Sequence, residues 1–360
     1  MKLFLDLHVI QTVPPSCLNR DDTGSPKTAM YGGARRARVS SQSWKRAIRL
    51  YFNEHFNEKE IGYRTLRIFN LVADEIKKLS PDRTDEDAMA LATSVFGKVS
   101  VKQKKDSSKS EALFFISTQQ AKNLAALALG DIEGKEAEKA IAAALTSGNS
   151  VDLALFGRMV ASNPELNCDA SAQVAHAIST HRVENEYDYF TAVDDMSKEE
   201  HAGAGMIGTV EYNSATLYRF ATVACHELYK NLSKDADVLE KAIGEFTKAF
   251  IMSIPTGKQN TFAAHTLPYA VMAAFRPCRP LNLADAFEKP ITPKLGEGFT
   301  ERSAIALVDH ANKSYKDFCA EPESCYVIGD ALAGLKKAEI LNLEDLVAKV
   351  GKEAAEKVAK

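Results

Sequence analysis

Long apolar runs, paired cysteines and targeting segments are absent from this sequence. No apolar run approaches the ~18–20 residues that a bilayer span requires, and Asp6 and His8 interrupt the apolar start before a signal-peptide core could form. The six cysteines are scattered, and none stands in the C-x-x-C spacing that a zinc site or a redox pair uses. We therefore expect a soluble cytoplasmic protein with free thiols and no contact with a membrane.

Catalytic and cofactor motifs are also absent. There is no H-E-x-x-H, G-x-S-x-G, Walker or G-x-G-x-x-G pattern. The pairs Asp21-Asp22 and Asp194-Asp195 could hold Mg²⁺ or cleave RNA by acid–base chemistry, but such pairs more often cap turns or face arginines. The sequence therefore predicts no catalytic residue, no metal site and no cofactor.

Charge is distributed unevenly along the chain. The 360 residues carry a net charge of −3, and 45% of them are apolar, which is typical of a globular chain with two or three folded units. Residues 1–50, however, contain nine Lys or Arg and only three acidic residues, and residues 23–53 contain seven basic residues and no acidic one. This local excess of positive charge predicts a polyanionic partner.

The periodicity of apolar residues predicts an α+β fold. The first part reads as a strand at 2–12 ended by Pro14-Pro15, a long loop to Gly33, an extended run at 35–41, and a helix from about 44 to 55 capped by Ser41 or Ser43. The remainder reads as helices around 64–80, 85–96 and 119–145, a mobile lysine-rich loop at 98–109, an irregular stretch at 151–205, a strand at 206–224, a helix at 235–253, an extended run at 267–275 and a helix at 335–360. Strands and helices in this order suit a sandwich of the ferredoxin or RRM kind, with a helical insertion.

The acid-free segment offers a surface for phosphates. On the extended run Arg36, Arg38 and Ser40 share one face, and Lys45 and Arg49 are i,i+4 neighbours on the following helix. A helix N-terminus presents free N–H groups to phosphate oxygens, and the Gly32-Gly33 pair lets the backbone approach a ligand. We interpret the segment as a site for a chain of phosphates; the alternative is a solvated basic face.

Aromatic side chains are crowded into the block HRVENEYDYFTAVDD at 181–195. Tyr187, Tyr189, Phe190 and Val193 lie in a stretch too short to form a core of its own. On a projecting hairpin such side chains can wedge between bases, since stacking needs no particular base sequence. Packing onto the parent domain is the other interpretation, and spacing alone favours it.

Seven blocks together resemble a known family. They are SCLNRDD (16–22), Gly32-Gly33 with the arginine-rich run, VSSQSWKRAIR (39–49), VDLALFGRM (151–159), AHAISTHRV (175–183), DYFTAVDD (188–195) and GKQNTFAAH (257–265). The chain resembles the type I-E CRISPR Cascade backbone subunit, the CasC family. The resemblance is specific over 1–56 and 151–220 and weaker elsewhere.

The resemblance implies an architecture and a role. It implies an RRM- or ferredoxin-like palm at 1–56 and 206–360, the latter part including C-terminal helices, a helical fingers insertion at 57–175, and a β-hairpin thumb at 176–205. In the family, copies stack head to tail along the spacer of a CRISPR guide RNA, and each thumb folds over RNA bound by a neighbour. Guide pairing then reads target DNA, so the protein needs to hold only backbone and shape.

The resemblance and the charge pattern together indicate which residues contact nucleic acid. The RNA-binding candidates are Arg20, Lys27, Arg35, Arg36, Arg38, Ser40, Gln42, Lys45, Arg49, Met159 and Lys258. The thumb wedge candidates are Tyr189, Phe190, Thr191 and Val193, and the candidates for contact with target DNA are Lys102, Lys104, Lys105, Lys135 and Lys139.

Two other functions stay open on the sequence. Relatives in other CRISPR types cut target RNA with an aspartate in the palm loop, so a guide-directed endonuclease using Asp22 is one alternative, and a generic single-stranded RNA-binding protein is another. The preferred interpretation, a non-enzymatic backbone subunit, implies several partners. These are the guide RNA, target DNA through the guide, other copies of the chain, the large, small, guide 5′-end and guide-processing subunits of Cascade and, indirectly, a helicase-nuclease.

Overall fold

A computed structural model describes residues 2–105, 107–130, 133–192, 206–293 and 295–360. Within these ranges the chain forms twelve β-strands and eleven α-helices. The strands are β1 Phe4–Ser16, β2 Thr28–Tyr31, β3 Ala34–Val39, β4 Gly62–Thr65, β5 Phe114–Ser117, β6 Ala172–Val174, β7 Ala177–Ser179, β8 Glu186–Ala192, β9 Met206–Ala224, β10 Ala270–Arg276, β11 Ser324–Ile328 and β12 Ala338–Ile340. The helices are α1 Ser41–His55, α2 Ile68–Leu79, α3 Asp85–Lys98, α4 Thr118–Leu129, α5 Gly134–Thr146, α6 Val151–Phe156, α7 Cys225–Asn231, α8 Ala236–Met252, α9 Gln259–Phe262, α10 Thr300–Asp317 and α11 Leu343–Val358. The predicted α+β class is confirmed.

One large sheet organises the chain. Its main order is β12-β11-β10-β1-β9-β7-β3-β2, with β6 and β8 also paired to β9. Strand β1 is central and antiparallel to both β10 and β9, and among the strands of the described ranges only the β11–β12 pair is parallel. The predicted strands at 2–12, 206–224 and 267–275 are therefore adjacent in space.

The central strand β1 is buried on both faces, whereas the alternation of its side chains is typical of a strand with one buried face. Leu5, Leu7 and Val9 pack into a core with α1, α8 and α11. The opposite face of β1, which carries Asp6 and His8, is covered by a second core that includes α10. Polar residues are tolerated there because each has an internal hydrogen bond.

The helical insertion has a core of its own. Helices α2, α3, α4 and α5 pack around buried Phe69, Val72, Phe96 and Leu124. Strands β4 and β5 form a separate two-stranded sheet beside them. The three predicted helical regions are confirmed, with 119–145 split into two helices, and 151–205 contains α6 and three strands where an irregular stretch was expected. The division into palm, fingers and thumb remains a prediction.

Three local expectations near the N-terminus were wrong. The Pro14-Pro15 pair does not end β1, because the strand continues to Ser16 through a register shift. The predicted loop to Gly33 contains strand β2, and Gly32-Gly33 is the two-residue turn of the β2–β3 hairpin, where both glycines have positive φ, as a tight turn of this kind requires. Helix α1 is capped by Ser40, whose hydroxyl oxygen accepts from the backbone N–H of Ser43.

Asp6 makes the stability of the fold depend on pH. The carboxylate is fully buried, Oδ2 accepts from the backbone N–H of Leu281 at 2.8 Å, and Oδ1 has no hydrogen-bond partner among the described residues. Burial raises its pKa from 3.8 to about 7. The folded protein therefore holds this proton more tightly than the unfolded chain does, so the free energy of unfolding decreases as the pH rises from about 4 to about 7.

Asp6→Asn is expected to remove this pH dependence. Between pH 4.5 and 7 the free energy of unfolding of the wild type should fall relative to the variant by up to about 1.4 kcal/mol per pH unit. Urea titrations of both proteins at several pH values measure it, and the contribution of buried His8 cancels because both proteins carry it. A difference that stays constant with pH would contradict the assignment.

Candidate nucleic-acid interface

The loop after β1 and the turn after α8 form an open cleft beside α1. The cleft has a volume of about 520 Å³, and Arg20 and Arg46 both line it. A Cβ atom on Gly257 would collide with the carbonyl oxygen of Leu18, so the glycine lets the two loops pack backbone to backbone. This packing brings together two of the sequence blocks that carry the family resemblance, SCLNRDD and GKQNTFAAH.

Asp21 has a structural part in this cleft. Its Oδ1 accepts from the backbone N–H groups of Thr23 and Ser25, both at 3.0 Å, and from the Thr23 hydroxyl. The hydrogen bond from the Thr23 side chain holds the pKa of the Asp21 carboxyl below its usual range. Asp21 therefore caps the turn, as the residue type predicted. Neighbouring Asp22 is exposed.

Lys27, Arg38 and His176 converge near the C-terminal end of β3. The guanidinium Nη1 of Arg38 lies 3.3 Å from Nδ1 of His176, and its Nε donates to the carbonyl oxygen of Thr28. Burial, together with the positive charges of Arg38 and Lys27, lowers the pKa of His176. An anion placed here would relieve the repulsion among these groups. Sequence reasoning missed His176, although it lies in the AHAISTHRV block.

Helix α1 carries a half-buried lysine beside an aromatic ring. The ammonium of Lys45 lies 5.7 Å from the centre of the Phe156 ring, and burial lowers the pKa of this lysine. Gln42 is exposed one turn earlier, and Met159, three residues after Phe156, is 82% exposed. A partly desolvated cation gains more from a phosphate than a fully hydrated one does.

Many of the predicted cations have no acidic partner. Among the described residues, no carboxylate oxygen lies within 4 Å of their side-chain nitrogens. They are Arg20, Lys27, Arg35, Arg38, Lys45 and Lys258. Since unpaired cations close to one another raise the local potential, this surface is suited to a polyanion.

Arg36 and Ser40 are not exposed, contrary to the sequence-based expectation. Arg36 is fully buried, and its guanidinium donates to the carbonyl oxygens of Ser179 at 3.0 Å and Phe287 at 2.8 Å. Ser40 is buried as the helix cap. Alternation along the strand places Arg36 and Ser40 on one face. The segment around Phe287 covers that face at Arg36, so Arg36 stabilises the fold and is not available to a ligand.

Arg49 joins α1 to the helical insertion. Its Nε lies 3.1 Å from Oδ2 of buried Asp152, and its guanidinium stacks over the ring of Phe115 at 4.7 Å. Oδ1 of the same aspartate accepts from the backbone N–H of Gly62 at 2.8 Å. Arg49 therefore has an acidic partner and differs from Lys45, which precedes it by one turn.

Strand β8 and residues 206–212 of β9 form a two-stranded ribbon, the thumb ribbon. Tyr187 and Tyr189 are 66% and 64% exposed on one of its faces, and Ile207 of β9 is exposed on the same face. Phe190, on the other face, lies across the backbone of Gly208. The aromatic side chains therefore do not pack onto the main sheet. Thr191 is exposed, while Val193 and the pair Asp194-Asp195 lie outside the described residues.

The predicted DNA-contacting lysines lie on the helical insertion. Lys102 and Lys104 flank the short bridge between Gln103 and Ser110, and Lys104 donates its backbone N–H to the carbonyl oxygen of Lys109. The side chains of all five candidates are exposed. They are Lys102, Lys104, Lys105, Lys135 and Lys139.

Comparison with known proteins assigns the family. A profile of the CT1975-like proteins matches residues 5–349, nearly the whole chain. The chain belongs to the CT1975-like protein family. No curated protein sequence gives a significant match.

Solved structures resemble this CT1975-like chain along its full length. A chain of a "CRISPR RNA-guided surveillance complex, pre-nicking" is 32% identical, with a TM-score of 0.82 over 98% of this chain and 100% of that one. A chain of another CRISPR RNA-guided surveillance complex is 29% identical, with a TM-score of 0.63 over 98% and 99%. These matches confirm the resemblance at the level of CRISPR surveillance-complex proteins.

Two kinds of feature are absent from the described part of the CT1975-like chain. No group of three or more His, Cys, Asp or Glu side chains there could hold a metal ion. None of its helices combines the length and the apolarity of a membrane span. What the surface does present is a set of unpaired cations beside an exposed aromatic ribbon.

Proposed function

We propose that this chain is a subunit of a CRISPR surveillance complex, and specifically the guide-RNA-binding backbone subunit of a type I-E Cascade. The observation that carries the proposal is that Arg20, Lys27, Arg38 and Lys45 have no acidic partner among the described residues. The 32% identity with a chain of such a complex also supports it. In this proposal the central sheet with α1 and α8 is an RRM-like palm. The protein works in the cytoplasm in antiviral defence.

The palm holds the RNA by its phosphates. Arg20, Lys27, Arg38 and Lys45 come from a loop, a strand and a helix that the fold places side by side, and none has an acidic partner among the described residues. Contacts of this kind neutralise phosphates and release counterions without reading base sequence. That suits a subunit that must accept every guide equally well.

The thumb ribbon supplies the contact between copies. Its exposed Tyr187, Tyr189 and Ile207 present apolar area that the chain itself does not cover. Lying over RNA that a neighbouring copy holds, the ribbon makes a heterologous contact, and such contacts propagate along a template. The other proposed partners are target DNA paired with the guide, the large, small, 5′-end and guide-processing subunits, and the recruited helicase-nuclease.

Purification of the native assembly tests this function. The intact operon should yield the chain in fixed stoichiometry with a short RNA, and the RNA spacer should resist ribonuclease. A chain that purifies alone, or with RNA of mixed length and in variable ratio, would instead indicate a generic single-stranded RNA-binding protein.

We also propose that the chain is not a nuclease. Asp22 is exposed and lines the cleft beside α1, and no metal-binding group of side chains accompanies it among the described residues. Asp22→Ala is therefore expected to leave the guide and the paired target RNA uncut in the presence of Mg²⁺, as the wild type does. Gel analysis of labelled target RNA measures this. Cleavage by the wild type that Asp22→Ala abolishes would establish the endonuclease alternative.

A further inference from the structure

Lys27, Arg38 and His176 form a cluster of three basic side chains that only folding brings together. Arg38 pairs with Ile178 across the β3–β7 ladder, and His176 stands two residues before Ile178. The backbone N–H of Arg38 donates to the carbonyl oxygen of Lys27 at 2.9 Å, which fixes the segment before β2 beside the other two. Lys27 and Arg38 are half-buried, and His176 is exposed. The function proposed above uses the two cations and leaves His176 without a role.

The contact between Arg38 and His176 determines the protonation state of the imidazole. Nη1 of Arg38 lies 3.3 Å from Nδ1 of His176. A guanidinium can only donate in a hydrogen bond, so Nδ1 accepts and carries no hydrogen. The hydrogen of the neutral ring is then on Nε2. This contact therefore requires an uncharged His176.

The protein supplies no negative charge to this cluster. The charged groups that face the imidazole are Arg38 of β3 and Lys27 of the segment before β2, and both are positive. In the described ranges, no carboxylate oxygen lies within 4 Å of a nitrogen of the three side chains. Burial, and then the two cations, hold the pKa of His176 below its usual range. A bound anion would act in the opposite direction.

The cluster also keeps hydrogen-bond donors available. Nε of Arg38 donates to the carbonyl oxygen of Thr28 at 3.3 Å and Nη1 donates to His176, but Nη2 has no acceptor in the part of the chain that the structure describes. The ammonium of Lys27 has no hydrogen-bond partner there either. A phosphate of an RNA chain carries one negative charge and several acceptor oxygens, so it can use donors from more than one of these side chains.

We infer that His176 is a further ligand of an RNA phosphate and that it takes up a proton when the RNA binds. The inference rests on the proposed function, since it requires RNA to lie against Lys27 and Arg38. The negative charge of the phosphate favours the charged form of the imidazole. The proton comes from the solvent and goes to Nδ1, so both ring nitrogens become donors and Nη1 of Arg38 is released to the phosphate.

Proton uptake makes the affinity for RNA depend on pH. The pKa of His176 is higher in the complex than in the free protein, so the affinity rises as the pH falls through the pKa of the complex and becomes constant below the pKa of the free protein. One proton for each bound copy changes the dissociation constant by at most about tenfold per pH unit.

RNA titrations across pH test the inference with a side chain that does not titrate. In His176→Asn the carboxamide oxygen can still accept from Arg38, and His310→Gln, which removes a histidine from α10, is the control. The dissociation constant of a short single-stranded RNA is measured for each full-length protein from pH 5.5 to 8 at constant ionic strength. As the pH falls, the wild type and His310→Gln should gain affinity relative to His176→Asn by up to about tenfold per pH unit. Near pH 8 the three should bind about equally.

NMR of histidine ring carbons provides a second measurement on the wild type. The signal that is missing from the spectrum of His176→Asn belongs to His176, and its titration is followed with and without the RNA. The pKa of His176 should be higher in the complex, whereas the pKa of His310 should be the same in both states.

Three results would overturn the inference. They are equal affinities of the wild type and His176→Asn at every pH, an affinity loss in His176→Asn that is the same at every pH, and a pKa of His176 that RNA leaves unchanged. The second result would make His176 a neutral ligand that takes up no proton. Failure of the wild type to bind RNA at any pH is a different outcome, because it would overturn the proposed function itself.

Discussion

Replacing Arg20, Lys27 and Lys45 together by alanine is expected to strip most of the guide RNA from the purified protein. The three cations belong to the loop after β1, the segment before β2 and helix α1, and none has a carboxylate within 4 Å among the described residues. Each lost phosphate contact should reduce the slope of log K against log salt by about 0.7, so the triple variant should lose about 2 from the slope. Filter binding at several salt concentrations, with guides of unrelated sequence, measures both quantities.

The matched control removes three lysines from helices elsewhere on the fold. Lys313, Lys316 and Lys352 are exposed on α10 and α11. Their replacement by alanine changes the net charge by the same amount, so a general charge effect would weaken both variants equally. We expect the control to retain its RNA and its salt slope. Equal RNA content in all three proteins would refute the palm assignment.

Removing the apolar face of the thumb ribbon is expected to abolish ordered multi-copy binding. In the Tyr189→Ser, Ile207→Ser variant two exposed side chains of one ribbon face become small and polar. A base stacked on an aromatic side chain contributes about 1–3 kcal/mol. Because every copy along the guide loses its contact, the losses accumulate, while the fold stays intact because neither side chain is buried. Native mass spectrometry counts the copies per RNA.

The control for the ribbon keeps its apolar area. Tyr189→Phe with Ile207→Val changes the same positions but preserves the stacking surface, and its copy number should equal that of the wild type. Wild-type assemblies should also tolerate target mismatches at regular intervals, where the ribbon displaces a base, at a cost far below the ~1.4 kcal/mol of a typical stacked step. A mismatch scan with a flat profile would contradict the wedge.

Periodic patterns in the sequence predicted the elements that build the central sheet and the helices packed on it. The period-2 run in β1 and the apolar face of α8 were readable because backbone geometry imposes those spacings wherever a residue faces a core. Short strands such as β6 and β7 were not readable. Three residues carry too few periods to show a pattern, and both strands form by pairing with β9, which lies 38 to 51 positions later in the sequence.

The types of side chain in the candidate site could likewise be predicted from the sequence, but the individual residues that form it could not. A segment of 31 residues with seven cations and no acid already indicated a polyanionic partner. For the crowded aromatic block far along the chain, spacing alone favoured packing onto the parent domain over a stacking surface. Periodicity then assigned Arg36 to the binding face. In the structure its neighbour Arg35 is exposed instead, because the segment around Phe287 covers the other side.

The sequence by itself therefore determined where the charge and the aromatic rings are, and only the tertiary structure decided which of them are free. Arg36 meets the carbonyl of Phe287 across 251 positions of sequence, and Arg49 meets Asp152 across 103. Gly257 and Leu18, or Arg38 and His176, are likewise neighbours only after folding. Local periodicity predicts the direction in which a side chain leaves its own backbone. Whether its charge is neutralised or buried depends on which distant segment packs against it.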